Sequence, residues 1–458
     1  IYEEGTQKYI PYQTFQPGDT FKVERIINPT TTVGEVKYYK NGIVFYTSSV
    51  PSNTTLIGDA SLGKKGSYVK DVRLVTLNPD AGQSLQTVDY AYNVRGWLKQ
   101  INDPNQSLTN DLFAFKINYN TAETSLGAQK LYNGNISETL WRTASDDELH
   151  AYGYTYDALN RIASANYAQG TAHNVNTGFY NLNSISYDKN GNILALQRNG
   201  ADATHTSAVS IDDLVYGYAT NSNQLTRVTD TTINAEGFND NYQNSGSDPA
   251  DNDYLYDANG NMIVDKNKYI TSIEYNHLNL PTKVTFSNQT GGSVDNTIEY
   301  IYDATGIKQE KLVTTNFLND VRVEGTQYTG NYVYSGADTN GQGYFFYGLE
   351  FFNHPEGYIE PYSAGKTGTD FRYIYQHKDH LGNIRVAYAD YDNDGKIDIY
   401  RNGTDIDGDL DNENEIVQAK NYYPFGLQIQ HGANNALSTI NGRNHKYGYN
   451  GKEEQDEL

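Results

Sequence analysis

The stretch YDALNRIASA from Tyr156 recurs as YDKNGNILAL from Tyr187 and as YDANGNMIVD from Tyr256, and this recurrence decides the fold. The shared template is an aromatic residue, Asp or Asn, two variable positions, Gly or Asn, a polar residue and an apolar, β-favouring run. Its physical logic is a strand ending in Tyr, a tight turn and a returning strand. Asp or Asn caps the turn by bonding to nearby backbone, and Gly or Asn supplies a positive φ. YNVRGWLKQI from Tyr92, YNHLNLPTKV from Tyr275 and YDATGIKQEK from Tyr302 fit the same template, with looser copies at Tyr132 and Tyr218. One hairpin is marginal in water, whereas a side-by-side array buries continuous rows of Tyr and aliphatic side chains. Copies start 31 residues apart (187 minus 156), 19 apart (275 minus 256) and 27 apart (302 minus 275), so the array carries insertions between hairpins.

Composition agrees with an all-β chain. The 458 residues include 42 Tyr and 15 Phe, large side chains that bury apolar area although the hydrophobic fraction is 37%. Few windows remain for a helix between the period-two runs and their turns. Lys plus Arg number 34 against 56 Asp plus Glu, a formal net charge of -22 that repels phosphate backbones, so nucleic acid is not expected as a partner. No run of 18 apolar residues is present and Ile1 opens no signal peptide, so no membrane insertion is expected and the chain reads as the interior of a longer protein. The absence of Cys removes disulfides, thiolate metal sites and Cys catalysis together, and suits an extracellular protein.

Residues 1–75 read as short alternating strands around Thr20–Ile26, Val36–Tyr39 and Ile43–Tyr46, with Asn41-Gly42 as a type I′ hairpin turn. The strings GDTFKVER, VKYYKNGIVFYTS and KGSYVKDVRLV resemble the last strands of a concanavalin-like jelly roll, which implies a partial β-sandwich over 1–75. Residues 76–85 have linker chemistry.

From residue 86 onward the chain resembles the RHS (YD-repeat) family, whose members include wall-associated-protein-A-like proteins, toxin-complex shells and teneurins. The resemblance rests on an ordered set of strings: YNVRGWL, DLFAFKINYN, LYNGNIS, the YD copies, then YIYQHKDHLGNIRV, YYPFGL and KYGYNGKEEQDEL. It assigns 86–371 to the repeats and 372–458 to an incomplete RHS-associated core. It implies a sheet coiled into a shell that encloses or displays a C-terminal effector segment of the same polypeptide. The variant strings look most like relatives exported by the type IX system, which makes secretion components partners and the cell surface or exterior the expected location.

Ten carboxylates lie between Asp390 and Glu415, opposed by Lys396 and Arg401. Asp390, Asp392 and Asp394 with Gly395 resemble the first half of an EF-hand loop, where alternate carboxylates converge on a hard cation. Asp398, Asp405, Asp407, Asp409 and Asp411 extend the candidate calcium ligands, although Arg401 occupies the position of the bidentate Glu. The competing reading is an acidic surface hairpin. Adjacent strand residues would face opposite ways, so Asp379-His380 is not an acid-base pair; His380 is read as a structural part of the turn that the family resemblance implies, and His377 and His445 lack ligand-spaced partners. Trp97 and Trp141 read as core. With no nucleophile, phosphate-loop or dinucleotide signature, no catalytic residue and no enzyme activity are expected. The leading expectation is a secreted shell protein. Its alternative is an adhesin that binds glycans or a protein partner.

Overall fold

In the computed structural model the turn of the repeat template is built the same way in copy after copy. Asp157 Oδ1 accepts the N–H groups of Leu159 and Arg161 at 2.9 and 3.0 Å. Asn93, Asp188, Asp257, Asn276 and Asp303 accept from the two corresponding N–H groups of their own turns. Three positions after the cap the backbone enters the left-handed region, at φ 63° for Asn160 and 94° for Gly191, where Asn and Gly pay the least. Each turn closes with a β-bulge at its Tyr: Tyr156 pairs with Ile162 and Tyr187 with Ile193, one step out of register with the residues before them.

The bulged tyrosines reach back to the preceding hairpin. Tyr187, Tyr218, Tyr275 and Tyr302 donate their hydroxyls to the carbonyls of Ile162, Ile193, Met262 and Pro281 at 2.8, 2.8, 2.6 and 2.9 Å. Tyr119, Tyr156 and Tyr256 do the same to Leu98, Ile136 and Leu225. In most cases the acceptor is the residue that opens the returning strand of the neighbouring copy. Burial holds these phenols above their ordinary value, with Tyr156 pushed up to about 12.

The structure describes residues 2–3, 6–7, 21–27, 34–48, 84–108, 111–175, 177–232, 234–242, 251–289, 294–318, 320–338, 346–362, 370–391, 395–401, 404–406, 414–429 and 445–454. The chain divides into two units, residues 1–84 and 85–458. In the first, Phe21–Ile27, Gly34–Lys40 and Ile43–Thr47 form a three-stranded antiparallel sheet. Asn41 and Gly42 both take positive φ in its second hairpin, as a type I′ turn requires. The expected strand KGSYVKDVRLV lies outside the described residues.

In the second unit ten antiparallel strands, from Tyr90–Tyr92 to Leu225–Asp230, neighbour one another in sequence order. Thirteen more run from Tyr254–Tyr256 to Ile416–Ala419, with the short pair Tyr400–Arg401 and Thr404–Asp405 looped out before the last. The protein is thus all-β, with large antiparallel sheets that do not close into a barrel; Tyr449–Gly451 is a short 3-10 turn. At the junction the Asp253 N–H donates to the Thr226 carbonyl at 3.0 Å and its carboxylate accepts Val228 N–H at 2.8 Å, so one sheet begins where the other stops. The second sheet also runs without interruption past residue 371.

Most repeat strands bury one face. Glu138–Thr143 is buried along its whole length, because successive residues face different cores: Trp141 joins Phe113, Phe115 and Tyr152, whereas Leu140 joins Leu126, Leu149 and Ala151. The Trp141 core also takes Val386, Ile397, Ile399, Ile416 and Tyr423 from the end of the chain.

Replacing Tyr187 by Phe deletes its hydroxyl and leaves the Ile162 carbonyl without that donor. The expected loss is about 1 kcal/mol of unfolding free energy in denaturant titration. Tyr132, 75% exposed, is the control, and its replacement by Phe is expected to cost less than about 0.5 kcal/mol. Equal losses at the two positions would remove the latch from the account.

Candidate functional site

The strand Ile384–Tyr388 is buried throughout, and it carries a cation into the core. Arg385 is 4% exposed, so its guanidinium must find partners in the protein. Nε donates to the Lys420 carbonyl at 2.9 Å, one terminal nitrogen to Asn421 Oδ1 at 2.7 Å and the other to Asp379 Oδ2 at 3.3 Å. The group lies 5.0 Å from the centre of the Trp141 ring. Trp141 Nε1 donates at 2.7 Å to the same Asn421 oxygen, so one amide joins the fourth strand of the first sheet to the end of the second.

Asp379 opens a turn of the repeat type, accepting Leu381 and Asn383 N–H groups at 3.0 and 3.2 Å ahead of a left-handed Gly382. Asp379 and His380 thus belong to a further hairpin turn, in line with the reading of His380 as part of a family turn and not with the placing of the pair on a strand; Lys378 stands where the repeat has Tyr. His380 stacks on Phe115 at 5.4 Å. His377 lies against Phe113 and Tyr388, and burial pushes its pKa down to about 4. His445 stacks flat on Tyr358, with ring centres 4.0 Å apart. Trp141 is core as expected, and Trp97 packs beside Tyr119 under Arg95.

After the last strand the chain returns across the first sheet. Tyr423 donates to the Asn199 carbonyl at 2.9 Å, beneath Arg198, whose Nε is 2.6 Å from buried Asp212. Gly426 is required there, since a Cβ would come within 2.3 Å of the Tyr449 ring. Further on, Glu453 accepts Lys308 and Lys311 Nζ at 2.8 and 2.7 Å and the Tyr328 hydroxyl at 2.9 Å. Burial alone would raise this carboxyl, but the two lysines outweigh it and hold it below its ordinary value.

Glu415, fully buried, organises the root of the acidic loop. Its carboxylate accepts Tyr391 N–H and, at 3.0 Å, Asp398 N–H, while its own N–H donates to the Asp398 carbonyl at 2.9 Å. Asp390 accepts Gly395 N–H at 3.1 Å. The surface-hairpin reading therefore fails at the root, where Asp398 is 2% exposed between core residues Ile397 and Ile399. Of the proposed ligands, Asp392, Asp394, Asp407, Asp409 and Asp411 lie outside the described residues, and Asp405 is described through its backbone pairing with Tyr400. Among the described residues no group of three His, Asp or Glu is placed to hold a metal ion.

Sequence spacing also gave no sign of a buried chain in which His150 lies 2.6 Å from the Tyr167 hydroxyl through Nδ1 and 2.9 Å from Asp146 through Nε2. Tyr167 is 1% exposed and packed on Tyr180, so its oxygen ends in core and the chain acts as a tie between strands. Arg385, Asn421, Tyr423 and Glu453 were missed as well. They sit within or beside the quoted terminal strings, but no local pattern connects them to their partners. Neither models of known protein families nor curated protein sequences match this chain.

Arg385→Met strands a buried carboxylate and removes one of the two donors to Asn421. The expected cost is about 3 kcal/mol of stability, measured by denaturant unfolding. A loss under about 1 kcal/mol would place the node outside the interactions that hold the sheets together.

Proposed function

We propose that this chain is a wall segment of an extracellular RHS-type shell that encloses or displays an effector segment of its own polypeptide, with export by a type IX system. The observation that carries this reading is the growth of the sheet in sequence order, hairpin on hairpin, each copy latched to the one before by a tyrosine. Such an array lengthens by addition of copies, and strand twist curves it as it lengthens. Its end is turned back and sealed by buried polar ties, which is the form a wall takes when it must not fray. A net charge of -22 keeps the wall soluble. In this role the chain works by excluding other molecules. Limited proteolysis tests it: the effector segment is expected to survive in the full-length protein and to be digested when expressed without residues 86–454. Equal digestion in both would remove the packaging role and leave the adhesin reading in its place.

The same proposal gives calcium to the loop from Asp390 to Glu415. Glu415 draws Tyr391 and Asp398 to one buried root, and in sequence these two flank Asp392 and Asp394. Calcium bound to the native state alone raises stability by about 2.7 kcal/mol at a hundredfold excess over its dissociation constant. Melting with calcium and with chelator is expected to give separate midpoints that merge when Asp390, Asp392 and Asp394 are replaced by Asn. Coincident curves for the native chain would sink the site.

A further inference from the structure

Residues 445–454 lie on the second sheet as a strap folded into a tight hairpin, in which Tyr447 bridges Glu453 and the Glu454 N–H donates to the Lys446 carbonyl at 2.7 Å. At one end His445 lies on Tyr358, and Tyr447 meets Phe351 edge-on with ring centres 6.0 Å apart. In the middle Gly448 accepts Ile384 N–H at 3.2 Å and Asn450 N–H donates to Asn383 Oδ1 at 2.9 Å. The returning arm pairs through its backbone with the first arm and is fixed to the sheet by the side chain of Glu453, whose two oxygens receive two ammonium groups and one phenol.

The repeat bulge itself builds that seat. Ile301 pairs with Glu310 and Tyr302 with Lys308, so Gln309 is the extra residue of the bulge. Lys308 and Lys311, three apart in sequence, therefore fall on one face of their strand, where a regular strand would oppose them. Thr326 pairs with Lys311, and Tyr328, two residues on, shares that face. Lys308 Nζ lies 4.4 Å from the centre of the Tyr328 ring. Lys311 is 3% exposed, Glu453 12% and Lys308 28%, so the seat is buried on the Lys311 side and half-open to water on the Lys308 side. Two ammonium groups in such a place repel unless an anion lies between them. The donors are disposed for a carboxylate: one oxygen takes Lys311 and the other Lys308, with the Tyr328 hydroxyl 2.9 Å from both.

We propose that Lys308, Lys311 and Tyr328 form a carboxylate-binding seat, that Glu453 occupies it as an intramolecular ligand, and that the strap end detaches from an intact sheet when the carboxylate is withdrawn. The emptied seat then binds small monocarboxylates from solution. This inference stands independently of the shell reading.

The test uses the full chain and trypsin, which cuts after Lys452, an exposed residue beside the pin. Glu453→Ala is expected to speed that cut at least about tenfold, equivalent to a loss of 1.4 kcal/mol in strap docking, with cuts elsewhere in 85–429 unchanged. Acetate, which replaces the missing carboxylate, is expected to restore protection where chloride at equal ionic strength does not. Glu453→Gln keeps the shape and removes the charge, so it is expected to speed the same cut but to gain nothing from acetate, because the amide fills the seat. Native cutting rates in both variants would overturn the pin. Acetate acting no better than chloride on Glu453→Ala would overturn the seat. Simultaneous cutting throughout 85–429 in both variants would mean that Glu453 holds the fold as a whole, which also overturns a separable strap.

Discussion

A tyrosine hydroxyl donated to a carbonyl of the hairpin before it is the contact on which the sheet depends. Ladder hydrogen bonds join any two strands, but they do not fix where one hairpin sits along the next. The capped turn sets the bulge, the bulge sets the direction of the tyrosine, and the tyrosine reaches a defined carbonyl only when the register is right. Copies 19 and 31 residues apart end in the same contact, as Tyr275 with Met262 and Tyr218 with Ile193, because insertions leave the turns themselves unchanged. Each latch also requires its neighbour to be folded, so stability propagates along the array.

A sheet that grows by addition leaves an edge, and this chain deals with it through buried charge. The last strand of the second sheet, Ile416–Ala419, is wholly buried, and the residues after it return to the first sheet. In a chain this acidic, three of the cations drawn into the interior meet a carboxylate: Arg385 with Asp379, Arg198 with Asp212, Lys311 with Glu453. Burying an ion pair gains little over apolar packing, but breaking one is costly, so such pairs favour a unique arrangement over a tighter one. The same bulge that aims the tyrosines also turns Lys308 and Lys311 to one face, so the strap's seat follows from the repeat and needs no separate device.

The all-β class, the hairpins and their turn chemistry were legible because each is local: an Asx cap, a left-handed Gly or Asn and a period-two run lie within ten residues of one another. Asn41-Gly42 and Asp157 through Asn160 took the conformations their residue types favour. At Asp379 a turn was legible through the family string around His380, but not its identity as a further repeat copy, since Lys378 stands in place of the latch tyrosine although cap, Gly382 and strand remain.

The sequence by itself thus determined the units and the order in which they neighbour one another, because turn geometry is set by backbone sterics within a few residues. What only the tertiary structure decided is where the chain's end lies. Trp141 meets Asn421 across 280 residues and Lys311 meets Glu453 across 142. Buried partners so far apart are chosen by sheet curvature and by the need to satisfy every desolvated charge, and neither leaves a periodic trace in the sequence.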